Sequence, residues 1–302
     1  MVNDAESEDL AEPEVLDLAG RVKEPLVTGL PNGYKYGVSR FADVILRDAF
    51  PDRFEDLCAA LAGFHPTVDE LRAGGGGRTV FVKRFDDSLA ASRHSDVAFW
   101  GKANITITKG IGQDGETELV SRVRGHEIDM FGSGAVDEPF PGVAVEMEWN
   151  NKDPFFDRDL INFQALHQEG AIAVGVIVTR GPQLQELIEN VIQSKDGGFK
   201  YGKSTTHWDK LIPRVNLGGG GECPLLLIGI QPERVAGIER VETVKVRLDA
   251  AEEYRNSWRT VACPICAKIH EKWSEASPHH REMKGNARDL MPPLADDSPS
   301  QG

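Results

Sequence analysis

The chain is poor in cysteine, in positive charge and in long apolar runs, and each shortage excludes something. Four cysteines, Cys58, Cys223, Cys263 and Cys266, are spread over 302 residues. They are too few and too scattered for a disulfide framework, so a reducing, cytoplasmic setting is expected. No apolar run approaches the roughly 20 residues of a membrane-spanning helix. The first residues are acidic rather than basic and then apolar, so no secretory signal is expected. Lys and Arg number 34 against 48 Asp and Glu, a formal net charge of −14. That balance weighs against a polyanionic partner, because nucleic-acid binders usually present a basic surface. Part of the excess is local: Asp4, Glu6, Glu8, Asp9, Glu12, Glu14, Asp17 and Glu24 face only Arg21 and Lys23, so residues 1–24 carry six of the fourteen negative charges. What is present is ordinary for a globular protein, with 40% hydrophobic residues and enough length for one large domain or two small ones.

The organisation can be followed along the chain. Residues 1–30, acidic and broken by Pro13 and Pro25, read as a disordered arm. Between Ser39 and Leu61 the apolar positions Phe41, Val44, Ile45, Ala49, Phe54, Leu57, Cys58 and Leu61 recur at helical spacing. They predict two helices divided at Pro51, capped by Ser39 and Asp52. These helices are either ordinary core or, for one of them, a homodimer interface. Gly74–Gly77 lacks the following Lys-Ser/Thr of a phosphate loop and reads as a linker. Thr79–Val82 and Asn104–Thr108 read as strands, and Gln113-Asp-Gly-Glu116 as a turn that returns the chain towards Val120. A helix is expected from Arg158 to Glu169, with Leu160, Phe163 and Leu166 inward and Gly170 as its stop. Ala171–Val178 and Pro224–Ile230 are continuous apolar runs, hence strands covered on both faces. Pro182 opens a helix that buries Leu184, Leu187, Ile188, Val191 and Ile192. Strand, hairpin, helix, buried strand, helix, buried strand is the pattern of an α/β fold with a mixed β-sheet flanked by helices.

The most informative stretch is Val143-Ala-Val-Glu146-Met-Glu148-Trp149. As a strand it sends Val143, Val145, Met147 and Trp149 to one face, and Ala144, Glu146 and Glu148 to the other. An isolated Glu-x-Glu reads first as solvating charge on an edge strand. Here His126-Glu-Ile-Asp129-Met-Phe131 forms another short strand before a turn at Gly132–Gly134. A hairpin of the two brings Asp129 beside Glu146, with Glu148 two residues on and His126 in a supporting place. Carboxylates crowded on an apolar strand repel one another and are costly to desolvate, so they call for a cation. Oxygen ligands of this kind suit a hard divalent metal, and metal-assisted phosphodiester hydrolysis is the matching chemistry. Asn150, Asn151 and Lys152 crowd the strand end with groups suited to bases and phosphates.

These residues carry a resemblance. Asp129, then Glu146-x-Glu148 after a hairpin, then Asn150-Asn151-Lys152-Asp153, resembles the active site of type II restriction endonucleases of the BglII and BamHI kind. These are branches of the PD-(D/E)xK nuclease superfamily in which the usual Lys is replaced by Glu or Gln. The resemblance runs to Gln231 and leaves out the first thirty and last fifty residues. It implies a restriction-endonuclease-like core and a homodimer that cuts both strands of a palindromic double-stranded DNA with a central GATC, leaving 5′-phosphates. It implies Mg²⁺, with Mn²⁺ as a substitute, on Asp129, Glu146, the carbonyl near Met147 and Glu148. A cognate DNA methyltransferase is its functional companion. Base reading falls to Asn150, Asn151 and Lys152, with Lys203, Ser204, Thr205, Thr206 and His207 as a second segment. That second segment lies in a long stretch, Ser194 to Glu222, read here as an irregular loop rich in Lys, hydroxyl and aromatic groups. A structure-specific repair nuclease of the same superfamily and a catalytically inactive DNA-binding protein are the competing readings.

The division expected is an arm over 1–30, a nuclease domain over 31–250, and a helical extension with a disordered tail over 251–302. The extension holds Cys263-Pro-Ile-Cys266 and His270, candidate zinc ligands. Without a second cysteine pair, two free thiols in a terminal helix are the preferred reading.

Overall fold

The computed structural model describes residues 21–73, 79–92, 99–113, 116–135, 137–193 and 198–291. Most of the acidic arm, Gly74–Gly77 and the residues from 292 onward lie outside the described residues. The chain opens with β1 (Tyr34–Ser39), α1 (Ala42–Ala49), α2 (Pro51–Gly63), α3 (Val68–Arg72) and α4 (Val80–Ala90). It continues through β2 (Trp100–Gln113), β3 (Glu116–Gly132), β4 (Gly142–Glu148), α5 (Phe155–Gln168), β5 (Ile172–Arg180), α6 (Pro182–Ile188), α7 (Trp208–Asn216) and β6 (Leu225–Ile230). A short 3₁₀ turn at Pro232–Arg234 precedes α8 (Ile238–Ser257) and α9 (Trp273–Arg288).

The six strands form one mixed sheet in the order β1-β6-β5-β4-β3-β2. Its centre, β4, β5 and β6, is parallel. The β2, β3 and β4 meander on one side and β1 on the other are antiparallel. Strands β5 and β6 are covered on both faces, as their unbroken apolar runs require, and β4 is buried along its whole length as well. Val143, Val145 and Met147 of β4 and Val174, Val176 and Val178 of β5 join the core under α1, α2, α4, α6 and α8. Ala144 of β4 and Ile172 and Ile177 of β5 join the core under α5 and α7. Helix α5 lies so close that a Cβ on Gly175 would stand 2.4 Å from the Phe163 ring. Only glycine permits that approach. At the end of α5, Gly170 adopts φ +70, the left-handed stop expected from the sequence.

Several expectations are corrected. Thr79–Val82 is not a strand but the start of α4. Phe81, Phe85 and Leu89, four residues apart, are its buried stripe, and the β-branched look of Val80-Phe-Val misleads over so short a window. Ser39 and Asp52 are not caps. Phe41 and Phe50 occupy the cap positions with no side-chain bond, and Ser39 ends β1 with its hydroxyl accepting from the Leu225 N–H. Helix α6 stops at Ile188, although Val191 and Ile192 beyond it stay buried in the same core. The stretch from Ser194 to Glu222 is not wholly irregular, since α7 occupies its middle. Cys263 and Cys266 lie in the turn between α8 and α9, not in a helix. The described part of the arm is seated on the sheet, where Lys23 pairs with Val38 and Val27 is buried.

Candidate active site

The site forms where β3 and β4 part. Their ladder pairs Gly132 with Val143, Phe131 with Ala144 and Met130 with Val145. The next step brings Asp129 to Glu146, and the Asp129 N–H donates to Glu146 Oε1 at 3.2 Å. The hairpin read from the sequence therefore sets these two residues side by side. Glu146 and Glu148 both point to the face covered by α5, and both are buried. The strand's other face is apolar core, so the carboxylates cannot turn away from one another without breaking the pleat.

Helix α5 brings a fourth carboxylate that the sequence reading did not single out. Asp159 lies on the buried stripe of α5 with Phe156, Leu160 and Phe163, and is itself only 1% exposed. A carboxylate at a core position of an amphipathic helix is the signal that could have found it. Half-exposed Arg158 spans the group, its Nη2 donating to Asp159 Oδ1 at 2.6 Å and to Glu148 Oε1 at 3.2 Å. The other Asp159 oxygen, Oδ2, is buried and has no hydrogen-bond partner. Glu148 is fixed from two more directions. Its Oε2 accepts from Asn151 Nδ2 at 2.7 Å, and its carbonyl accepts from the Thr179 hydroxyl at 2.7 Å.

Crowding and burial hold protons on these groups. Burial first, and then the charges of Asp159 and Asp129, push Glu146 well above the usual carboxylate range. Burial and the neighbouring Asp159 push Glu148 up to about 8. Asp159 is raised as well, chiefly by burial, with Arg158 pulling the other way. One guanidinium at the rim does not neutralise such a cluster, so it is poised to exchange protons for a further cation.

Beyond the strand end the two expected reading segments lie side by side. Asn150, Asn151 and Lys152 are exposed. Lys152 forms an isolated antiparallel bridge with Thr205, the Thr206 N–H donates to the Asn151 carbonyl at 2.9 Å, and the Asp153 N–H to the Ser204 carbonyl at 3.1 Å. Lys203 and Ser204 are exposed, whereas Thr205, Thr206 and His207 are packed inward. What holds them is Arg180, also missed from sequence. Fully buried at the end of β5, it donates to the Thr205 hydroxyl at 2.5 Å and the Thr206 carbonyl at 2.6 Å. Its guanidinium also lies over the rings of Tyr201 and Trp149. Met147 keeps its side chain in the core, so its backbone carbonyl is what it can offer the site. His126 stands in β3 opposite Ile105, and its side chain is outside the described residues.

Two comparisons bear on these features. No curated protein matches the chain. The restriction endonuclease BglII/BglIII family matches residues 34–230, from the first residue of β1 to the last of β6, and so takes in the whole sheet, the carboxylate cluster and both segments beside it. The chain belongs to the restriction endonuclease BglII/BglIII family.

Proposed function

We propose that this chain is a homodimeric type II enzyme that hydrolyses both strands of a palindromic double-stranded DNA site in a divalent-metal-dependent reaction, leaving 5′-phosphates. The observation that carries the reading is the convergence of Asp129, Glu146, Glu148 and Asp159 directly behind the exposed Asn150-Asn151-Lys152. A central GATC belongs to the same reading through the family resemblance, and the free cysteines fit a cytoplasmic setting.

The donor set fits Mg²⁺, with Mn²⁺ as substitute. It is all oxygen, it is overcharged, and it includes the unpartnered buried Asp159 Oδ2. Asp129, Glu146, the Met147 carbonyl and Glu148 would hold the ion, with Asp159 as an added ligand or a support for Glu148. When bound, such an ion supplies Lewis acidity to the scissile phosphate and acidifies a water. The protein's part is then proton traffic and positioning. Glu148, pushed up to about 8 before any cation binds, holds its proton at neutral pH. With that proton displaced by a bound cation, its carboxylate would orient the attacking water or take a proton from it. It cannot stabilise an anion as the Lys common in the superfamily would. Arg158 stands at the rim, where a phosphate could take its guanidinium in place of the carboxylates.

Base reading is assigned to Asn150, Asn151 and Lys152, with Lys203 and Ser204 beside them. Asn151 already spends its amide on Glu148, so it ties the reading segment to the acidic strand. The buried Thr205, Thr206 and His207 then set the height of that second segment rather than touch bases. Incubating the purified protein with bacteriophage DNA and Mg²⁺ tests the proposal. Discrete fragments are expected. A smear would indicate a nuclease without sequence preference, such as a repair enzyme, and intact DNA a binding protein without catalysis.

A further inference from the structure

We propose that Cys263, Cys266, His270 and His279 form a structural zinc site that fastens the turn between α8 and α9. Their ligand atoms all lie within 4.8 Å of one another. Cys263 Sγ stands 3.3 Å from His279 Nδ1, Cys266 Sγ 3.3 Å from His270 Nε2, and the two imidazole nitrogens 3.3 Å apart. A tetrahedral zinc with Zn–S near 2.3 Å and Zn–N near 2.0–2.1 Å sets its ligands about 3.3–3.8 Å apart, and the three separations of 3.3 Å stand at the short end of that range. Ordinary hydrogen bonding accounts for the group less well. Two imidazole nitrogens that face each other and a sulfur at the same distance compete for the same protons, whereas a cation satisfies all four lone pairs at once.

Local backbone and packing point the same way. The Ala267 N–H donates to the Cys263 carbonyl and the Cys263 N–H to the Lys268 carbonyl, both at 2.8 Å, closing a tight loop around the cysteine pair. Ala267 completes that loop at φ 59, a conformation rarely adopted by a residue with a Cβ. His270 turns its other nitrogen towards Glu275, 3.8 Å away, the outer carboxylate that zinc-bound histidines usually acquire. The apolar cluster at this end is small. Tyr254, Cys263 and Ala276 are its buried members, with Trp258, Cys266 and Met283 against them. Lobes with so little core commonly depend on a metal. His279, from α9, completes a set of four ligands with no second cysteine pair.

The site is separate from the carboxylate cluster and its test does not depend on cleavage. Metal analysis of the full chain purified without chelator should give about one zinc per chain, kept in Glu146→Gln and lost in Cys266→Ser and in His279→Ala. His280→Ala, one residue along the same helix, should keep it. Because a variant could lose zinc merely by unfolding, the wild-type protein is also stripped and refilled with Co²⁺. Intense absorption bands of tetrahedral cobalt with thiolate charge transfer are expected. Hydrogen exchange of the stripped protein should rise between residues 258 and 288 but not in β4 or β5. Metal-free protein that takes up neither Zn²⁺ nor Co²⁺ overturns the proposal, and so does zinc retained by both Cys266→Ser and His279→Ala.

Discussion

Glu146, Glu148 and Asp159 are each raised above their ordinary range, and the direction has a consequence for stability. In the unfolded chain these acids ionise near 4. In the folded chain they hold their protons to higher pH, so folding binds protons and stability falls as pH rises from about 4.5 through about 8. In chelator, the melting temperature should therefore drop across that window, and Mg²⁺ or Ca²⁺ should restore it at the alkaline end. Glu148→Gln should flatten the profile; a profile as steep as wild type would place the linked protons elsewhere. Cation binding at neutral pH should also release protons, seen as a calorimetric heat that varies with the buffer's ionisation enthalpy. The same residues set the cleavage prediction. Glu146→Gln and Asp129→Asn should each lower cleavage by about 10²–10³-fold, the order expected when electrostatic stabilisation of a transition state is lost. Folding should survive, because each change removes charge from a repelling cluster. Asp159→Asn should also depress cleavage, and wild-type rates there would make the residue only a neighbour of Glu148. Of the four, Asp129, Glu146 and Glu148 were legible in the sequence because a hairpin and a period of two fix their sides. Asp159 is marked in the sequence only as a carboxylate within a helix stripe, and its place beside Glu148 needed the helix to be docked on the sheet.

At the scale of elements, legibility followed burial. Strands β5 and β6 were readable because a sheet covered on both faces leaves a continuous apolar run, β4 because its residues alternate with a period of two, and helix α5 because a covering helix leaves a stripe. Helix α4 was misread because four residues cannot distinguish a period of two from one of 3.6. Helix α7 was missed because polar residues and glycines surround its short stripe of Trp208, Leu211 and Val215. The pairing of Lys152 with Thr205 was not legible at all, since it depends on Arg180 filling the space beneath. That pairing sharpens a prediction for Lys152, which follows the acidic strand after Asn150 and Asn151 without a break. If Lys152 donates to guanine O6 and N7, Lys152→Ala should cost roughly 1–3 kcal/mol of discrimination at one symmetric base pair. It should also lower cleavage more than binding, because Asn151, next to it, holds Glu148. A phosphate contact would instead weaken binding to all sequences alike and reduce the salt slope by about one unit. Affinity and cleavage measured on the cognate site and its single-base variants separate the two.

The whole molecule carries a net charge of −14, yet Lys152, Arg158, Lys203, Lys210 and Arg214 lie on the segments bordering the site. Some of that charge is already committed: Arg214 and Lys210 face Asp153, and Arg214 also binds Asp157. Arg158 is likewise held by Glu148 and Asp159, so Lys152 and Lys203 are the exposed cations one copy offers DNA here. Two copies related by a two-fold axis would present both pairs across a palindrome. Sedimentation should give twice the 33.1 kDa of the chain, alone or on DNA, and a mass of 33.1 kDa in both conditions would remove the dimer. The interface expected within residues 39–61 can be tested at the corner that opens α1. Arg40 and Phe41 have φ of 53 and 59, the left-handed region that residues with a Cβ avoid, and Phe41 is 66% exposed. Such a corner is costly to hold, by roughly 1–2 kcal/mol per residue, and it sets an aromatic ring into solvent. A partner surface that takes the ring would offset both costs. Phe41→Glu leaves the buried Ala42 and Leu46 in place, so the fold should persist. Dimer dissociation should rise about tenfold or more, the effect of losing an aromatic anchor at the centre of an interface. Cleavage at low protein concentration should fall with it and recover as concentration is raised, since each active site is intact and only pairing is weakened. A variant that remains as dimeric as wild type would move the interface away from this corner.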